Sequence, residues 1–344
     1  MKKYLYVIIL LVIATSCNTS NKKKETKASN PEYVALQKKA STIFGTLPTQ
    51  VNNPENEITE EKVVLGKKLY FDNRLSKDNT QSCNTCHDLK TYGVDNLPTS
   101  PGNDGGLGTR NSPTVLNAAL HKDQFWDGRE PDVEAQAGGP ILNPVEMAMP
   151  SEEVVVERLL EDENYLEMFE TAFPEDEKPI TYKNIQKAIG AFERKLITPS
   201  KFDDFIAGNI EILNEKELKG LQLFIDNGCT ACHSGNALGG NIHQKFGLFD
   251  DYWKYTKSKT IDEGKFEVTK KEGDKYIFKS PSLRNIAKTY PYFHDGSVND
   301  LKDAVSIMGK IQLNKEFTPD ELDAMVAFLN SLTGELPEDI KNTL

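Results

Sequence analysis

Cys83-Asn84-Thr85-Cys86-His87 and Cys229-Thr230-Ala231-Cys232-His233 are the two stretches whose reading decides the fold. In each, two thiols flank a two-residue gap and a histidine follows directly. Covalent haem attachment needs this pattern. Two thiols add to the two vinyl groups, the short gap sets both sulfurs on one edge of the macrocycle, and the next residue brings an imidazole to the iron. Zinc is the competing reading, but it calls for further cysteines or paired histidines. Outside the motifs the chain offers only Cys17 and three histidines, His121, His243 and His294. A thioredoxin-like redox role would want a βαβ context that the pattern lacks. The expectation is two covalently bound haem c groups, held by Cys83, Cys86 and His87 and by Cys229, Cys232 and His233.

Working outward, the flanks read as helix. Asn214 to Glu217 form a capping box, Leu218, Leu221, Phe224 and Ile225 make one apolar face, and Gly228 stops the helix just before the second motif. Thr181 caps a helix carrying Ile185, Ala188, Ile189, Phe192 and Leu196 and ended near Pro199. Thr318-Pro319-Asp320-Glu321 combines a cap, a first-turn proline and a glutamate at the third helical position. Residues 88–150 are rich in Gly, Pro and Asn with little periodicity, and a loop region that long is usually functional. Each half places a helix before its motif and a glycine-rich loop after it. The fold class is therefore mainly α, as two cytochrome c-like domains with long loops and one haem each. The boundary falls near Thr198 to Ser200, giving a domain over residues 31–198 and another over 199–344.

Residues 1–16 read as a signal peptide. Lys2 and Lys3 precede an apolar stretch, Tyr4 to Ile13, too short for a typical membrane span, and Ala14-Thr15-Ser16-Cys17 resembles a lipobox with Ala14 where Leu is usual. Cleavage before Cys17 and lipidation of its thiol account for the odd cysteine among five. Residues 17–30 form a polar, lysine-rich tether. The expected location is the periplasm, with a lipid anchor as the one membrane contact. With 344 residues and a net charge of −11, the chain suits neither nucleic acid nor a polyanionic surface.

LGKKLYFDNRLS, RNSPTVLNAAL, FWDGR, EAQAGGPILNPVEM, GCTACHSGNALGGN, PSLRNI, YFHDGS and LKDAVSIMG follow one another in order. In these motifs the chain resembles the bacterial di-haem cytochrome c peroxidase family, which includes MauG-type enzymes, over roughly residues 45–335. The resemblance implies an N-terminal haem that reacts with peroxide and a C-terminal haem that accepts electrons from a small periplasmic redox protein. Carried onto this chain, it implies Gln136 and Glu146 in the distal pocket of the first haem and Met308 as second axial ligand of the other. Trp126 would lie between the haems. A calcium ion would be held by the Asn111 side chain and the carbonyls of Thr289 and Pro291. His294 would be structural, hydrogen-bonding near the haem–haem interface. The family often forms homodimers. From the residues alone, Met308 reads more readily as core filler than as a ligand, Glu146 as an ordinary loop carboxylate, Gln136 as a polar helix-end residue, and His121 and His243 as surface or packing residues.

The chain departs from the family in one loop. Many members carry a distal histidine there that blocks the first iron until the other haem is reduced; the aligned position here is Asn103, between Gly102 and Gly105. An amide is a poor iron ligand, and the glycines suggest a mobile loop. The expectation is a first haem already open in the oxidised protein. Reduction of hydrogen peroxide to water is the leading activity. A MauG-like oxidation of a protein or aromatic substrate is the alternative, against which Met308 stands because MauG-type enzymes usually have Tyr there. A pure electron carrier would have no use for Gln136 and Glu146 beside an open haem.

Overall fold

The computed structural model describes residues 27–341, so the signal peptide, Cys17 and most of the tether lie outside the described residues. The helices run in order α1 (Pro31–Phe44), α2 (Glu60–Tyr70), α3 (Cys83–Cys86), α4 (Val133–Leu142), α5 (Glu152–Leu160), α6 (Glu163–Ala172), α7 (Tyr182–Glu193), α8 (Lys201–Ile206), α9 (Glu215–Asp226), α10 (Tyr252–Thr256), α11 (Phe266–Thr269), α12 (Leu301–Leu313), α13 (Pro319–Asn330) and α14 (Glu338–Lys341). One antiparallel pair, β1 (His243–Lys245) with β2 (Ile277–Lys279), places His243 opposite Lys279. Among the described residues, no helix is long and apolar enough to cross a membrane.

The caps expected at Thr181, Asn214 and Thr318 are formed, each side-chain oxygen accepting a first-turn N–H. Residues 88–150 are not loop throughout. Asp132 accepts the N–H of Ala135 and starts α4. Two glycines and Pro140 in α4 hide the helical period from a propensity reading.

Each half is built on one close helix pair. In the first, α2 crosses α7 so closely that a side-chain carbon on Gly66 would collide with the carbonyl of Ala188. In the second, α9 crosses α13 and Gly220 meets the carbonyl of Ala324 in the same way. Leu65, Leu69, Ile185, Ala188 and Ile189 fill the first core; Leu218, Leu221, Phe224, Phe328 and Leu329 fill the second. The expected boundary at Thr198 is crossed by both chain ends. Leu36, Ala40 and Phe44 of α1 lie in the core of the second half with Phe202 and Phe205, while Leu336 and Ile340 pack on Tyr70 and Phe192 of the first. Segment 31–44 therefore belongs structurally with the second half, because its apolar face is buried there.

The halves repeat beyond their haem motifs. Pro113-Thr114-Val115-Leu116-Asn117 and Phe125-Trp126-Asp127-Gly128 match Pro281-Ser282-Leu283-Arg284-Asn285 and Phe293-His294-Asp295-Gly296 at one constant spacing. The backbone repeats with them: Asn117 and Asn285 have φ of 63° and 60°, Phe125 and Phe293 66° and 71°. Gln124 N–H donates to Glu130 O, and Tyr292 N–H to Val298 O. The two segments face each other across a pseudo-two-fold interface, in which Asn111 N–H donates to His294 O (2.6 Å) and Lys279 N–H to Trp126 O (2.8 Å). Residue-for-residue reciprocity of this kind marks an isologous contact, here within one chain.

Candidate functional site

The first motif is a single turn held from both ends. Ser82 N–H donates to Thr85 Oγ1 (3.0 Å), Leu89 N–H to Asn84 Oδ1 (3.1 Å), and Tyr70 Oη–H from α2 to the carbonyl of His87 (2.5 Å). In the second motif the N–H groups of Cys232 and His233 both donate to the carbonyl of Cys229, and left-handed Gly228 turns the chain out of α9.

Both motif histidines are suited to bind iron. Burial lowers the pKa of His87, opposed by Asp95 and by the nearby carbonyls of Gly93 and Pro113. Burial lowers that of His233 too, opposed by the carbonyls of Leu238 and Pro281. A neutral imidazole is the ligating form. His233 Nδ1–H donates to the Leu238 carbonyl (3.3 Å), which leaves Nε2 as the metal-facing nitrogen. The Nδ1 of His87 is buried without a hydrogen-bond partner. Burial also raises every motif thiol, Cys86 and Cys229 to about 11 and Cys83 further. Structural zinc takes deprotonated thiolates in sets of four ligands. Among the described residues, no group of three or more His, Cys, Asp and Glu side chains could hold a metal ion. The donor set fits haem and not zinc.

Glu146 lies in the turn after α4, close enough to Cys86 for its charge to raise that thiol's pKa. Its own carboxyl is pushed up by burial, which outweighs Arg129 and a hydrogen bond from Asn143. Gln136 stands on α4, half-buried, with its backbone N–H on Asp132 O. Arg129 pairs with Asp127 (2.9 Å) and lies over the Phe125 ring (3.4 Å).

The loop of Asn103 is pinned rather than free. Asn103 N–H donates to the carbonyl of Glu146 (2.6 Å) and Gly102 N–H to Gly106 O (2.7 Å). The half-buried Asn103 donates its amide to Asp78 (2.8 Å) and accepts from Thr80 Oγ1 (3.1 Å). Gly102 allows close approach to the Val145 carbonyl and Gly105 takes a left-handed turn.

Trp126 sits in the pseudo-two-fold interface, its indole N–H donating to Asn111 O (2.9 Å) and its ring edge-on to His294 (6.4 Å between centroids, 75°). His294 stacks on Phe278 (4.3 Å) and meets Tyr252 edge-on. Its Nε2 is buried without a hydrogen-bond partner, aromatic packing holds the ring, and its carbonyl accepts from Asn111 N–H. Met308 packs in the same aromatic cluster, with Phe246, Tyr252 and Trp126. Asn111 donates its amide to Leu97 O (2.9 Å), which leaves its Oδ1 for another partner. Asn96 donates to the carbonyls of Lys288 and Tyr290, tying the loop of Asn111 to the segment that carries Thr289 and Pro291.

Three interface features were missed by the motif reading. Arg110 bridges the halves, on Asp127 (2.5 Å) and bidentate on Asp262 (2.6 and 2.9 Å). His243 brings Nε2 to 3.4 Å from Asp123, and His121 buries its Nε2; both line the interface rather than the surface. Thr198 joins Asn117 to Asn285. The repeat marks only their partners, Asp127 with Asp295 and Asn117 with Asn285.

A family model described as di-haem cytochrome c peroxidase matches residues 60–211, and one described as cytochrome c matches 218–333. The chain is 46% identical over 308 residues to the cytochrome c551 peroxidase of Pseudomonas aeruginosa, covering 88% of each. It is 46% identical to the protein of the same name from Nitrosomonas europaea, covering 85% of this chain and 84% of that one. To the methylamine utilization protein MauG of Methylorubrum extorquens it is 35% identical, covering 84% and 83%. Among solved structures, a MauG-like protein associated with microbial copper homeostasis superposes with a TM-score of 0.75 at 28% identity, covering 85% of this chain and 94% of that one.

Proposed function

The chain belongs to the di-haem cytochrome c peroxidase family, and from that premise we propose how its two unequal halves share the work of reducing hydrogen peroxide. The reaction is H2O2 + 2 e⁻ + 2 H⁺ → 2 H2O, with electrons from a cytochrome. Bound haem c supplies iron that passes single electrons and, at an open face, binds peroxide. The rest is the work of side chains. Glu146 takes the peroxide proton and returns it to the departing oxygen, a role its raised pKa suits. Gln136 orients the peroxide through its amide. Trp126, packed edge-on against His294, bridges the halves.

One observation carries the assignment of roles. In the repeat, Asp132, which caps α4, corresponds to Asp300, which caps α12, and Pro140 of α4 then falls where Met308 stands in α12. A proline side chain has no ligating atom, so α4 would offer no side-chain donor to a haem bound at the first motif where α12 would offer the Met308 thioether. Asn103, turned to Asp78 and Thr80, supplies none either. A haem bound at the first motif would then be left open in the oxidised protein, with no prior reduction required. Identity is also higher to the peroxidases than to MauG, and position 308 is Met, not Tyr.

Further parts of the proposal rest on chemistry and on the resemblance. Asn111 Oδ1 and the carbonyls of Thr289 and Pro291 are hard oxygen donors suited to calcium. The protein works in the periplasm, held by lipid on Cys17, with a small redox protein as donor and a second copy of the chain as partner. The deciding experiment mixes oxidised, haem-loaded protein with peroxide and a reduced cytochrome c. Immediate turnover, with a high-spin signal in the resting spectrum, supports the reading. Two low-spin haems, with turnover only after reduction, would overturn the open-site part.

A further inference from the structure

The interface of the two halves converges on one hydroxyl. Asn117 Nδ2 donates to Thr198 Oγ1 (2.7 Å), and so does its repeat partner Asn285 (2.9 Å). Thr198 N–H donates back to Asn117 Oδ1 (3.0 Å), and Gly334 N–H to Asn285 Oδ1 (2.8 Å). The repeat extends to the backbone: Asn117 N–H donates to Leu196 O, and Asn285 N–H to Leu332 O. Relative exposures are 0% for each asparagine and 1% for Thr198. Water does not reach this node, so each amide depends on that oxygen.

Each asparagine lies midway along a segment with work at both ends. The first segment begins at Pro113, whose carbonyl adjoins His87, and ends at the turn of Trp126. The second begins at Pro281, whose carbonyl adjoins His233, and ends at the turn of His294. A shift of either asparagine therefore moves a haem-binding histidine's surroundings and one partner of the Trp126–His294 contact together.

We propose that Thr198 is a positioning residue for electron transfer between the haems, fixing the two segments relative to each other by accepting both asparagine amides on one oxygen. It rests on the di-haem reading above. Thr198 touches neither haem nor peroxide; it acts through Asn117 and Asn285. Valine keeps its shape but accepts nothing, leaving two buried amide groups without an acceptor. Small misplacements of reacting groups carry large rate penalties.

The test uses the full, haem-loaded chain as wild type, Thr198→Val and Thr198→Ser. Electron transfer between the haems is followed by flash photolysis of the half-reduced, carbon monoxide-bound protein, alongside steady-state peroxide kinetics. For Thr198→Val the expected result is a fall of about tenfold or more in transfer rate and in kcat, with KM for peroxide unchanged. Thr198→Ser, which keeps the hydroxyl, stays within twofold of wild type. A transfer rate at the wild-type level in Thr198→Val, or an equal loss in Thr198→Ser, overturns the proposal. Should Thr198→Val fail to fold, Asn285→Asp at neutral pH replaces it; aspartate tolerates the left-handed backbone and still accepts from Gly334, but ionised it has nothing to donate. If wild type consumes no peroxide, the proposed activity fails, while the photolysis rate still decides the role of Thr198.

Discussion

Replacing Glu146 by glutamine removes the proton carrier and little else. The backbone of Glu146 carries the local structure: its N–H donates to Asn143 O (3.0 Å) and its carbonyl accepts from Asn103 N–H (2.6 Å). Both bonds survive the change, and the new amide is of the same size. Loss of a positioned general base and acid costs roughly 10²–10⁴ in rate, or about 2.7–5.4 kcal/mol in the barrier at 1.36 kcal/mol per decade. That loss is expected in kcat/KM for peroxide, measured by oxidation of reduced cytochrome c at saturating donor. The pH dependence gives an independent check. In the proposed role the carboxylate is the active base, and burial raises its pKa above the ordinary glutamate range. Wild-type kcat/KM should therefore climb with pH through a value above that range, and Glu146→Gln should show no such limb. Arg129 lowers the Glu146 pKa, so Arg129→Ala should move the limb to higher pH. A Glu146→Gln enzyme within threefold of wild type, or one that keeps the acidic limb, refutes the assignment.

Other residues give further expectations. Asn103→His supplies an imidazole from the loop that touches Glu146, and it should convert an enzyme active as oxidised into one that needs reduction first, seen as a lag abolished by pre-reduction. Glu193 is buried beside Glu134 and its pKa is pushed up to about 8. Between the ordinary value and about 8 the folded state holds a proton that the unfolded state has lost, so stability should fall as pH rises through that window, by at most about 1.4 kcal/mol per pH unit. Denaturant melts of Glu193→Gln should lose that slope. Chelation of calcium should lower peroxide turnover reversibly, and Asn111→Ala should raise the calcium concentration needed for recovery by about tenfold or more; turnover indifferent to chelator would remove calcium from the site.

The haem motifs, the caps and the cores of α7, α9 and α13 were legible because they rest on local chemistry. A capping box or an apolar stripe is complete within a few turns of chain. The helix α4 was hidden because glycine and proline are poor helix formers, and the aspartate cap with tertiary packing overrides them. The placement of α1 in the second core could not be read locally, since an amphipathic face does not name the surface that covers it. Sequence leaves His121 and His243 open between surface and packing for the same reason: the groups they pack against, Gly240 for one and Asp123 and Gly128 for the other, come from the opposite half of the chain. The pairing of Trp126 with His294 was, by contrast, written in the repeat, as FWDG against FHDG at the spacing that also relates Asn117 to Asn285.

That repeat explains how one fold yields two different haem sites. A duplicated module supplies both halves with the same frame: a Gly-mediated helix crossing, a motif turn, a buried asparagine and an aspartate-capped helix leading away. Function requires the copies to differ only where the frame meets the iron. In α12 the position carries Met308, whose thioether, as the proposed iron ligand, would suit electron transfer. In α4 it carries Pro140, which ligates nothing, and the turn that follows brings Glu146 toward Cys86. The proposed catalytic carboxylate, Glu146, thus stands in the turn after the helix that has Pro140 where α12 has Met308. In the proposed reading the same stretch, Pro140 to Glu146, would both leave the first iron open and supply its acid–base group, and the second site, lacking both changes, would pass electrons.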